Sequence, residues 1–108
     1  MDIIIQSPGF KASEALDTLI REKLSRLESH SDKIIRADVT LSKGPESQQD
    51  GNYCEIKLEV PGYDHFAKKH ANTFEIAATE AIDAVQHMLD KSRDKQNHHR
   101  QPDVAAGL

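Results

Sequence analysis

The 108-residue chain has little of what most protein classes require: one cysteine, no tryptophan, two tyrosines, three phenylalanines. With Cys54 alone, an intramolecular disulfide is impossible, which excludes the disulfide-stapled secreted scaffolds and fits a reducing, cytoplasmic setting. Its longest purely aliphatic run, Ile3-Ile4-Ile5, falls far short of the roughly 20 residues that a membrane helix needs. No basic segment followed by an apolar stretch opens the chain, so no secretory signal is expected. Signatures of catalysis are missing as well. There is no Gly-rich phosphate loop, no Cys-x-x-Cys, no His-Glu-x-x-His and no Gly-x-Ser-x-Gly. Neither an enzyme nor a cofactor is expected.

The six histidines do not repair that absence. His98 and His99 are adjacent near the C-terminus, and His65 and His70 flank a strand end with no obvious carboxylate partner. None has ligand spacing on a common helical face, so the expectation is solvated histidines and no metal site. Cys54 alternates with apolar residues on the inward face of a strand, which makes it an inert core thiol.

What is present is charge. Thirty per cent of the residues are Asp, Glu, Lys or Arg and only 37% are hydrophobic, which suits one thin domain with much exposed surface. The net charge of −4 speaks mildly against a generic nucleic-acid binder. A net sum hides local clusters, however, and phosphate contacts are made by clusters.

Periodicity orders the chain. Asp2 to Ser7 is a short strand with Ile3 and Ile5 on one face and Ile4 on the other, broken by Pro8-Gly9. Ser13 is an N-cap, and Glu14 and Asp17 complement the dipole of a helix running to about Ser29. Leu16, Leu19, Ile20, Leu24 and Leu27 form its apolar stripe. Ile35, Ala37, Val39 and Leu41 alternate with polar residues in a second strand, and the polar stretch from Gly44 to Asn52 is a loop. Cys54, Ile56, Leu58 and Val60 alternate with Tyr53, Glu55, Lys57 and Glu59 in a third. After the Pro61-Gly62 turn a return strand covers His65 to Lys69. Thr73 caps a last helix, with Phe74, Ala78, Ala81, Ile82, Val85, Met88, Leu89 and Ser92 on one face, ending near Lys95. Gln96 to Leu108 is polar or small and is expected to be a disordered tail. The order β-α-β-β-β-α implies an α+β domain over residues 1–95, a four-stranded sheet with two helices on one face.

On helical wheels Lys23 and Arg26 share one flank of the first apolar stripe, opposite Asp17 and Glu28. Lys91 and Lys95 share a flank of the second helix, with Arg93 on the other side. Cations in a last turn complement the helix dipole, so the residues alone allow either a solvated face or a phosphate-binding patch.

Taken in order, several segments resemble one family. They are Glu22-Lys23-Leu24-Ser25-Arg26-Leu27-Glu28, Asp32-Lys33-Ile34-Ile35, Glu55 to Gly62 with Phe66-Ala67-Lys68, Thr73-Phe74-Glu75-x-Ala77, and Lys91-x-Arg93-x-Lys95. The chain is similar over residues 1 to 95 to the bacterial ribosome hibernation promoting factors, which include ribosome-associated protein Y and were earlier described as sigma-54 modulation proteins. The resemblance implies a fold like a double-stranded-RNA-binding domain. It also implies non-covalent binding to the small ribosomal subunit near the decoding centre, which silences translation in stationary phase or stress. Lys23, Arg26, Lys91, Arg93 and Lys95 match positions that are basic in relatives, and so become candidate rRNA-binding residues.

Two departures stand out: Gln86-His87 replaces a common basic pair, and Asp90 replaces another basic position. Long-form members continue where this chain stops, which implies a short form that inactivates single ribosomes or works with a second hibernation factor, and is a monomer off the ribosome. The alternative is a diverged paralogue that serves as a protein-interaction module without ribosome binding, for which the acidic net charge and Gln86-His87 speak.

Overall fold

A computed structural model of the chain describes residues 1–30 and 33–99, with the side chains of the last helix described as far as Ser92. Along the chain lie β1 (Asp2–Gln6), α1 (Glu14–Ser25), a 3-10 turn (Arg26–Ser29), β2 (Arg36–Lys43), β3 (Asn52–Val60), β4 (Tyr63–Ala71) and α2 (Phe74–His99). Both helices begin where the sequence places their caps. Ser13 Oγ accepts the Leu16 N–H at 3.1 Å, and Thr73 Oγ1 accepts the Ile76 N–H at 3.1 Å. Each bond satisfies one amide that the first helical turn leaves without an intrahelical acceptor.

The strands form one mixed sheet in the order β1-β2-β3-β4. β1 runs parallel to β2, whereas β2 with β3 and β3 with β4 are antiparallel. A parallel neighbour needs a crossover, and α1 supplies it. The two antiparallel pairs need only the 44–51 loop and the Pro61-Gly62 turn, where Gly62 takes a φ of +91° that side-chain-bearing residues rarely adopt.

Register decides what is buried. Ala37, Val39 and Leu41 oppose Leu58, Ile56 and Cys54, so all six point to one side of the sheet. That side meets Leu16, Ile20, Leu24 and Leu27 from the first helical segment and Ala77, Ala78, Ala81, Ile82, Val85 and Leu89 from α2. The alanines let the α2 backbone come close to β3 and β4. Ion pairs fill the other side: Lys68–Glu55 at 3.2 Å, Arg36–Asp38 at 3.2 Å, Arg36–Glu59 at 3.5 Å and Lys57–Asp64 at 3.9 Å.

Four sequence expectations shift. Ile35 is 48% exposed, because regular pairing starts one residue later and Ile34 turns into the core instead. Leu19 is only half-buried, on the open side of α1. Leu27 is buried as expected but lies in the 3-10 turn, which tightens the end of the first helical segment. β4 pairs with the whole of β3 and is longer than the His65 to Lys69 segment, since strand pairing extends through residues whose own propensity is weak. Of the tail expected from Gln96, residues 96–99 continue α2, and residues 100–108 lie outside the described residues.

Candidate nucleic-acid interface

Two contacts fix the relative direction of the helices. Phe10, just before α1, stacks on Phe74 at the start of α2, with ring centroids 5.0 Å apart and planes at 16°. His30, just after the 3-10 turn, places Nδ1 2.9 Å from Asp90 Oδ1, a link across 60 residues of sequence. α1 and α2 therefore run the same way, and the end of the first helical segment lies level with Asp90 of α2. The dipole of α1 presents its negative end there, which favours cations, whereas α2 continues past Asp90 to His99.

At that end stand three of the five candidate cations. Lys23 is half-buried in the last turn of α1, Arg26 is exposed at the start of the 3-10 turn, and Lys91 is exposed on α2. Arg93 and Lys95 follow on the same helix; their side chains lie outside the described residues. The arrangement differs from the outer sheet face in one decisive respect. On the sheet, Arg36, Lys57 and Lys68 are all held by carboxylates. Among the described residues, Lys23, Arg26 and Lys91 have no carboxylate partner. Two acids at this end are engaged elsewhere: Glu28 takes the N-terminal ammonium at 2.9 Å, and Asp90 takes His30. A net charge of −4 is a sum over the whole chain and does not describe the potential around such cations.

The departures fall on α2 itself. His87 is exposed one helical turn before Lys91, where the two share a face. Gln86 is half-buried beside it. Asp90 interacts with His30, which sequence reasoning missed because the partners are so far apart in the chain. His70 likewise has a carboxylate, Asp50, at 3.2 Å, which corrects the expectation of none. Tyr63 is also linked to α2, through a hydrogen bond between its hydroxyl and Ser92 Oγ, and no sequence signal pointed to it.

Two titratable groups lie in the core layer. Burial pushes the Cys54 thiol up to about 12, with the neighbouring Glu55 charge adding to the shift. Such a thiol stays protonated and serves as packing. His65, on the inner side of β4, has its pKa lowered by burial against a smaller opposing pull from Asp64, and its Nε2 has no partner. Among the described residues no group of three His, Cys, Asp or Glu side chains is placed to hold a metal ion. Nor is any described helix long and apolar enough to cross a membrane.

Residues 3–97 match the family model described as sigma 54 modulation protein / S30EA ribosomal protein. The chain belongs to this family. Its relatives include a ribosome hibernation promotion factor of Deinococcus radiodurans, 30% identical over 84% of this chain and 48% of the relative. The chain thus spans about half the length of that protein. A ribosome hibernation promoting factor of Acinetobacter guillouiae is 24% identical over 98% of this chain and 99% of its own length. Another, from Pseudomonas putida, is 29% identical over 89% of this chain and 90% of its own.

Solved structures carry the same fold. A ribosomal subunit interface protein from Coxiella burnetii superposes with a TM-score of 0.77 at 18% identity, covering 87% of this chain and 99% of that one. The N-terminal domain of Protein Y from Thermus thermophilus superposes with a TM-score of 0.72 at 21% identity, covering 84% of this chain and 98% of the other.

Proposed function

We propose that this family member is a non-enzymatic translation inhibitor of the cytoplasm that binds the small ribosomal subunit through rRNA phosphates. Lys23, Arg26 and Lys91, joined by Arg93 and Lys95, neutralise the phosphates. The rigid α+β body then occupies the decoding region, excluding mRNA and tRNA without making or breaking a bond. The observation that carries the reading is the parallel course of α1 and α2, which gathers cations from distant parts of the chain at one end and leaves Lys23, Arg26 and Lys91 without carboxylate partners among the described residues. The names of the relatives, ribosome hibernation factors, support the same partner.

Co-sedimentation of the purified protein with bacterial ribosomes at several salt concentrations tests the proposal. Co-migration with small subunits or whole ribosomes should fade as salt rises, because each phosphate contact releases counterions. Changing Lys23, Arg26 and Lys91 together to Ala should weaken binding and flatten the log-log salt dependence by about one unit per lost contact. Stability should stay within about 0.5 kcal/mol per site, as none of the three belongs to the core. Protein left at the top of the gradient at every salt concentration overturns the reading and favours a protein-interaction module. Unchanged binding by the triple variant overturns the residue assignment alone.

A further inference from the structure

Tyr63 opens β4 directly after the Pro61-Gly62 turn, on the same side of the sheet as the helices. Its hydroxyl is hydrogen-bonded to Ser92 Oγ, and its ring meets His65 edge-on, with centroids 5.1 Å apart and planes at 88°. Although held at both points, the residue remains 43% exposed. Isolated exposed aromatics are ordinary. This one is unusual in being tied to the residue that follows Lys91, a cation with no carboxylate partner among the described residues.

Tyr53, the other tyrosine, offers a useful contrast. Its ring lies beneath Lys68 Nζ at 5.3 Å and against the His70 ring at 5.1 Å, and its hydroxyl pairs with Gln48. Phe66 is exposed too, but on the outer sheet face, opposite Lys57 and away from the helix ends. Tyr63 is an exposed ring held in place by a bond to the residue that follows Lys91 in sequence, whereas Phe10, whose ring centroid is 5.4 Å from Lys43 Nζ, is half-buried against Phe74.

Unpaired nucleotides present a flat base next to a phosphate, and proteins that bind single-stranded RNA match them with aromatic rings next to basic side chains. We propose that Tyr63 stacks on an unpaired rRNA base whose own or adjacent phosphate is contacted by Lys91. The proposal rests on the ribosome-binding reading and extends that interface from the two helices onto the β3–β4 hairpin. The bond to Ser92 holds the ring before the base arrives, so little side-chain freedom is lost on binding.

Ribosome affinity of the full chain, measured by co-sedimentation across a range of salt concentrations, tests it with two variants. Tyr63→Leu keeps an apolar side chain and loses the ring, so binding should weaken roughly 5- to 150-fold. The slope of affinity against salt should not change, since no phosphate contact is removed. Tyr63→Phe keeps the ring and loses only the Ser92 bond, and should bind within about threefold of the original. Circular dichroism establishes that both variants are folded. Affinity unchanged in the Tyr63→Leu protein overturns the proposal. Equal losses in both variants with a flattened salt slope also overturn it, by showing that Tyr63 acts only through the position of α2. Failure of the unaltered chain to bind at any salt concentration overturns the parent reading, and this one with it.

Discussion

Cys54 shows how one position can be settled by its neighbours. Its side chain is fully buried opposite Leu41, and burial raises the thiol to about 12, with Glu55 contributing further. A group whose pKa is raised on folding adds stability that is complete below the unfolded value and is lost as pH climbs through the folded one. The thiol therefore supports the fold at neutral pH and begins to oppose it above roughly pH 8.5, where the unfolded chain ionises first. In the native protein, Cys54 should resist a thiol-reactive chromogen at about pH 8, and it should react stoichiometrically once urea unfolds the chain. Rapid labelling of the native protein would contradict the burial. The candidate cations behave in the opposite way. Lys23, Arg26 and Lys91 are at least partly open to water, so their charge is available to a partner.

Among the elements, the helices have the clearest origin in local sequence. Ser13 and Thr73 each accept an amide three residues on, and each helix carries an acidic residue in its first turn. Ser13→Ala and Thr73→Ala should each cost about 1 kcal/mol, read from urea unfolding, and the costs should add because the caps share no partner. The inward faces of β2 and β3 were equally legible, since period-two alternation specifies a half-buried strand without knowledge of its neighbours. The ends of elements were not. The 3-10 turn at Arg26–Ser29, the reach of β4 to Tyr63 and Ala71, and the exposure of Ile35 all depend on pairing and packing with remote segments.

For the whole molecule, a domain of this size has a net stability of the order of 5–15 kcal/mol. Opening a cavity in its one core by Leu24→Ala or Ile56→Ala should remove ~2–5 kcal/mol. Thermal unfolding should register that loss, and ribosome binding should fall only in proportion to the unfolded fraction. A binding defect at a temperature where the variant is fully folded would place Leu24 or Ile56 in the interface and contradict their burial.

By itself the sequence determined the order β-α-β-β-β-α, the two caps and most of the core, because propensity, capping and hydrophobic period act over a few residues, while the five basic candidates came from the family resemblance. Family membership was legible for the same reason, as ordered short segments. How the elements that carry those cations sit together could not be read locally. It took the Phe10–Phe74 and His30–Asp90 contacts to set α1 and α2 parallel, the sheet to bind Arg36, Lys57 and Lys68 in ion pairs, and the β3–β4 hairpin to carry Tyr63 to Ser92. Most of these join residues distant in the chain, and only packing of the complete domain brings such residues together.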